Sequence, residues 1–192
     1  MLANDPKNVE ALLASGRVAI RSGDPRGGLE FLTKALPVAV ELNNQEEKAA
    51  ILQATGIAYS LMNQPDEALN NFQQSLAIKQ QIGDKRGAAA SYEQIGSLQD
   101  SGGKPQEALA SYQQALTLRK EIGDQAGIAN TLIDTGAFYH NHGKPEDALQ
   151  YFTQALEIER QLKDQARQAL CLNHIGSIKS DQGQYQDGLT YL

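Results

Sequence analysis

Gly16, Gly56, Gly96, Gly136 and Gly176 stand 40 residues apart, and no other feature of this 192-residue chain restricts its fold so strongly. Pro25, Pro65, Pro105 and Pro145 keep the same spacing, with Tyr185 in the fifth place. Gly28, Ala68, Ala108, Ala148 and Gly188 form a column of small residues, each followed by leucine. An aromatic or leucine column follows at Leu32, Phe72, Tyr112, Phe152 and Leu192, then a second small column at Ala35, Ser75, Ala115 and Ala155. Columns that hold one period describe one supersecondary unit used repeatedly. A unit of this size cannot bury its apolar face alone, so the units must stack.

Each repeat reads as two helices with distinct punctuation. The first, AAILQATGIAYSLM from Ala49, carries apolar residues at helical spacing. It stops at Asn63, and the equivalent places hold Gly23, Gly103, Gly143 and Gly183, residues that tolerate the left-handed conformation closing a helix. Proline follows two residues later, where its fixed φ suits the first turn of the next helix. Acidic residues come next (Asp66, Glu67, Glu107, Glu146, Asp147) and complement the positive end of that helix. The second helix, PDEALNNFQQSLAIKQQI, stops at Gly83 or Gly123, after which Asp84, Asp124 or Asp164 is placed to cap the next repeat. Links this short force antiparallel neighbours. Gly56 and Ala68 let paired helices approach closely, with Leu52, Tyr59, Leu69 and Phe72 filling the space around them.

These columns resemble the tetratricopeptide repeat family, best in TGIAYSLMNQPDEALNNFQQSLAI and TGAFYHNHGKPEDALQYFTQALEI. The resemblance covers essentially the whole chain. It is similar to the 40-residue form found in kinesin light chains, in polarity adaptors related to LGN, and in bacterial regulators. It implies an all-α fold, a right-handed α-α superhelical solenoid of antiparallel helix pairs. On this reading the chain is a single array: repeats over 8–47, 48–87, 88–127 and 128–167, and a partial fifth over 168–192. Ala19, Gln99 and Lys179 replace the tyrosine of helix A, which predicts looser packing in those repeats. Residues 1–7 resemble the tail of a preceding helix, and the chain stops within a second helix at Leu192. It therefore reads as a piece of a longer array, or as a short chain covering Tyr185, Leu189 and Leu192 by self-association.

Composition narrows the function classes. The net charge of −6 argues against nucleic-acid binding, which requires a basic face. No apolar stretch approaches the roughly 20 residues of a membrane span, and the N-terminus lacks a basic, apolar leader. Cys171 is the only cysteine, so no disulfide framework or cysteine-rich metal site exists. The expected compartment is the cytoplasm.

The resemblance implies that helix A lines a concave peptide groove. Columns that change chemical character between repeats lie 3, 4, 7, 10 and 11 residues beyond the first of them, forming one helical stripe. From that stripe the candidate groove residues are Arg17, then Gln53, Ile57 and Ser60, then Glu93, Gln94, Ser97 and Asp100. The later repeats supply Asn130, Asp134, Ala137, His140 and Asn141, and finally Asn173, His174 and Ser177. The same stripe includes Leu13, Ile20, Ala54 and Ile133. A varying stripe fits recognition; the plainer alternative is solvated surface that drifts freely. The carboxylate clamp of chaperone-binding members is not expected, because the stripe has no lysine and only Arg17 and Arg21 as arginines. Glu93, Asp100 and Asp134, with Gln53 and Gln94, instead suit a partner with a basic or amide-rich extended segment.

Catalysis finds little support. His140 and His142 stand two apart and point to different helix faces, whereas a metal site needs one-turn spacing and a third ligand. Cys171 reads as a packing residue without a neighbouring base. No phosphate loop is present. The expectation is an interaction scaffold that binds a protein or peptide, with no enzyme activity, cofactor, metal, nucleic acid or membrane. The alternative is a sensory or regulatory module of a larger signalling protein such as a kinase, cyclase or transcription regulator.

Overall fold

In a computed structural model, residues 6–184 are described, and all their regular structure is helical. The helices are α1 (Pro6–Arg21), α2 (Pro25–Glu41), α3 (Gln45–Leu61), α4 (Pro65–Gln81), α5 (Lys85–Ser101), α6 (Pro105–Glu121), α7 (Gln125–Asn141), α8 (Pro145–Leu162) and α9 (Gln165–Asp181). What the sequence predicts for residues 1–5, Tyr185, Gly188, Leu189 and Leu192 falls outside the described residues, as does self-association through that end. The chain divides into two compact units, Met1–Ala108 and Leu109–Leu192, with the division inside α6.

The helix ends follow from the residues at them. Gly23, Asn63, Gly103, Gly143 and Gly183 all take positive φ, closing α1, α3, α5, α7 and α9 as expected. The amide after each donates back to the carbonyl five residues earlier, as in Asp24 N–H to Ala19 O at 2.9 Å and Lys104 N–H to Gln99 O at 2.8 Å. Asp84, Asp124 and Asp164 each accept the amide N–H three residues on, at 2.8, 3.1 and 3.1 Å. Asn44 does the same for α3 and Asp24 for α2. Asn43 and Lys163 close α2 and α8 in the left-handed region without being glycine, an arrangement that costs a lysine about 1–2 kcal/mol.

In the N-terminal unit α3 and α4 run antiparallel. Moving up α3 from Ala49 to Gly56, the facing partners move down α4 from Ser75 to Ala68. Ser75 donates to the Ala49 carbonyl at 2.8 Å, and both residues are buried. A Cβ on Gly56 would lie 2.6 Å from the Phe72 ring and 3.2 Å from the Ala68 carbonyl oxygen, so the ring occupies the space of the missing side chain. Leu32 covers Gly16 in the same way across α1 and α2. Gln99, standing where Tyr59 and Tyr139 stand, lines a cavity of about 200 Å³ with Leu69 and Leu98. In the C-terminal unit Phe152 covers Gly136, and the core joins Leu132, Phe152, Leu156, Cys171, Ile175 and Ile178. Phe138 meets Tyr112 edge to face at 6.2 Å.

Pro37 lies inside α2, where Ala77, Thr117 and Glu157 hold the equivalent places. It removes one helical donor and crowds the carbonyl one turn back, a penalty of about 3 kcal/mol that roughly 1 kcal/mol of unfolded-state stiffening offsets. Pro37→Ala is therefore expected to stabilise the chain by about 2 kcal/mol in urea denaturation. An unchanged or lower midpoint contradicts this.

Candidate functional site

The first helix of each pair carries the stripe. In the N-terminal unit it brings Arg17 from α1 together with Gln53 and Ile57 from α3. With Ala14 and Ala54 they line a cavity of about 560 Å³. Arg17 and Gln53 also line a second cavity of about 550 Å³, whose wall includes Lys79 and Asp84 at the end of α4. Ser60 is exposed and lies outside both cavities. So do Glu93, Gln94, Ser97 and Asp100 on α5, where Gln94 and Ser97 are exposed and the two acids half-buried.

In the C-terminal unit α7 carries Asn130, Asp134, Ala137, His140 and Asn141, and α9 carries Asn173, His174 and Ser177. Asp134, Asn141, Asn173 and Ser177 are exposed, and the other four are half-buried. Asn130 Oδ1 is shut off from solvent and accepts no hydrogen bond. His174 stacks on Phe152 at 4.5 Å with the rings nearly parallel. Burial, and secondarily the nearby His140, lower the His174 pKa and favour the neutral ring. His142 takes another course, stacking on Phe138 with Nδ1 2.8 Å from the Phe138 carbonyl. Among the described residues no three metal-ligating side chains converge. Four stripe members named from the sequence, Leu13, Ile20, Ala54 and Ile133, are buried core residues.

Sequence reasoning missed one column, at the last turn of the second helix. Ala39, Lys79, Arg119 and Glu159 are all buried. Lys79 is seven residues beyond Phe72, on the same apolar face, and that placement is the signal that could have found it. Its Nζ donates to Gln53 Oε1 at 2.6 Å and Ser91 Oγ at 3.0 Å. Burial is the main reason its pKa falls to about 8; Asp84 pulls it up and Arg17 pushes it down. Arg119 instead pairs with Asp124 at 2.6 Å. Glu159 is wholly buried, with Arg167 Nε at 3.5 Å from one oxygen and no hydrogen bond to either. Desolvation raises its pKa, which Arg167 lowers and Asp164 raises. Cys171 is buried, and its thiol pKa is pushed up to about 11, first by desolvation and then by Glu159. A thiol in that state is a packing group, not a nucleophile.

The third residue of the next first helix stands opposite this column. A Cβ at Gly87 would lie 3.0 Å from Lys79 Cδ, and one at Gly127 would lie 2.5 Å from Arg119 Cδ. Glu47 and Arg167 hold the equivalent place where the column carries Ala39 and Glu159.

The sequence profile described as tetratricopeptide repeat matches residues 9–81 and 87–161. The chain belongs to the tetratricopeptide repeat family. Its fold matches that of several solved structures. BtubC (BKLC) from P. vanneervenii aligns with a TM-score of 0.83 at 19% identity, over 96% of this chain and 76% of that one. A putative kinesin light chain from Podosopora anserina with nearly identical TPR-like repeats aligns at 0.76 and 15% identity, over 97% and 92%. A Rap protein complexed with competence and sporulation factor aligns at 0.82 and 17% identity, over 96% of this chain and 52% of that one. No curated protein matches in sequence. As a tetratricopeptide array the chain has a fold consistent with a protein-interaction scaffold, in a family whose members are generally non-enzymatic. No described helix is long and apolar enough to cross a membrane.

Proposed function

We propose that this tetratricopeptide chain is a cytoplasmic interaction scaffold that holds an extended segment of a partner protein along its first-helix stripe. The observation that carries this reading is Asn130. Its carboxamide oxygen is buried on the stripe without a donor, an arrangement that costs about 1–3 kcal/mol unless something supplies one. A backbone N–H of an extended segment is such a donor. The cavity floored by Ala14, Ala54 and Ile57 offers apolar surface beside the polar stripe, the mixture that fixes a segment's position and register. The finer reading is a basic or amide-rich segment, to which Glu93, Asp100 and Asp134 offer the complementary charge.

Selection of random peptides on the immobilised protein tests it. Selected peptides are expected to lose about tenfold or more in affinity, some 1.4 kcal/mol, with Asn130→Ala or Ile57→Asn at unchanged helicity. Affinity untouched by both removes the groove. Asp100→Lys and Asp134→Lys are expected to weaken the same peptides; binding indifferent to both removes the basic segment alone.

A further inference from the structure

We propose that the cavity between the start of α4 and the end of α5 is a binding site for a small monocyclic aromatic molecule of the phenol type. Leu98, Gln99 and Gly102 line it from the end of α5, and none of them belongs to the stripe, so the site does not depend on the groove. Its origin shows when two repeats are compared. Forty residues on, in the C-terminal unit, the same places hold Phe138, Tyr139 and His142. There the rings pack on one another: Phe138 stacks on His142 at 4.3 Å and meets Tyr139 edge to face at 5.4 Å. Three rings in one repeat are a leucine, an amide and a glycine in the other, and a space of about 200 Å³ stands beside them.

The frame around the space holds it open. Leu69 of α4 and Leu98 of α5 pack on the cluster of Ala68, Phe72 and Ile95, which joins the two helices beside the cavity. A close-packed frame of this kind relaxes only partly into a void. The wall is mostly apolar. Apolar cavities of about 150 Å³ in such frames stay dry and take up benzene. The slightly larger space here holds a ring with one or two short substituents. Lys104 favours an aromatic ring over an aliphatic one. It stands on the cavity wall at the place where the next repeat carries Lys144, whose Nζ lies 5.7 Å from the centroid of the Tyr139 ring. The repeat thus brings an ammonium to the face of a ring, and here Gln99 supplies no ring for it. Asp66 and Gln99 on the same wall offer acceptors to a phenol hydroxyl, and the Asp66 carboxylate disfavours an anionic ligand.

The experiment is a titration of p-cresol into the full chain, followed through backbone amide chemical shifts. Saturable shifts are expected at the Gly102 and Lys104 amides, with a dissociation constant on the order of 1 mM. Gln99→Tyr returns the ring to the chain; it should weaken p-cresol at least about tenfold and raise the urea midpoint. Gln99→Ala leaves the space open and should keep the affinity within about threefold. Methylcyclohexanol, of similar size without a π face, should bind about two- to fivefold more weakly than p-cresol, and Lys104→Met should remove that difference. Shifts that do not saturate, or equal affinity on the wild type and Gln99→Tyr, would overturn the site. So would a lower urea midpoint for Gln99→Tyr, which would show that the space does not admit a ring. N-acetyltyrosine amide separates a free molecule from the side chain of a partner. Weaker binding than p-cresol supports the free molecule; equal or tighter binding would overturn it in favour of the side chain.

Discussion

A Phe72→Ala variant is expected to lose about 3–5 kcal/mol of stability. Phe72 is 1% exposed and lies over Gly56, which has no side chain to move into the vacated space. Of the other buried members of its cluster, Ala68 is on α4 itself and Ile95 is on α5, whose N-terminus Asp84 caps. The cavity would therefore persist, and a persistent cavity is what separates a costly truncation from a mild one. The same contact can be attacked from the other side. Gly56→Ala pushes a methyl into the ring at 2.6 Å and should cost about 1–3 kcal/mol. Combining it with Phe72→Leu should cost less than the two changes added, because the shorter side chain makes room. Urea denaturation followed by circular dichroism reads all four forms. A Phe72→Ala loss under about 1.5 kcal/mol would show that the helices close over the gap.

The second large effect lies at Glu159, where the sign depends on which partner is changed. Arg167→Ala leaves a wholly buried carboxylate without the counter-charge that Arg167 supplies. Breaking a fully buried pair costs about 3–5 kcal/mol, and the roughly one-third exposure of Arg167 reduces the expectation to about 2–4 kcal/mol. Glu159→Met is expected to do the opposite, raising stability at neutral pH by about 1–2 kcal/mol. The pH profile separates these causes. Burial raises the folded-state pKa of Glu159 above its ordinary value, so the folded state holds the proton more tightly than the unfolded one. The penalty is complete above the folded pKa. It shrinks as pH falls through that value and vanishes below the ordinary carboxylate pKa. The advantage of Glu159→Met should fade on acidification over that window. An advantage that stays constant from neutral pH to below the carboxylate range would place its origin in packing and not in charge.

How much was legible in the sequence depended on the range of the interaction. The helix ends were readable because a cap involves three to five consecutive residues: the glycines at 23, 103, 143 and 183 and the aspartates at 84, 124 and 164 act within their own turn. The close approach at Gly56 was readable because the period aligned it with Ala68 and Phe72. The stripe was only partly readable. Its spacing is that of a helical face, but a face about 100° wide blends into the core at its edges, which is how Leu13, Ile20, Ala54 and Ile133 were counted with it. The missed column failed for a different reason. Lysine, arginine and glutamate at one place look like ordinary surface drift, and only the packing of consecutive repeats reveals that Lys79, Arg119 and Glu159 are inside.

That column bears on how such an array can be lengthened or shortened. Three seams follow one another, Lys79 with Gly87, Arg119 with Gly127 and Glu159 with Arg167, and each is matched in size or charge. Excising residues 85–124 would set Lys79 against Gly127, a pairing of the kind already present. Excising 125–164 would set Arg119 against Arg167, two guanidinium groups competing for one buried place. Blocks of identical length are therefore not equivalent as spare parts. Recombination within this gene, or an engineer trimming the array, has permitted and forbidden joints that the 40-residue period alone does not distinguish.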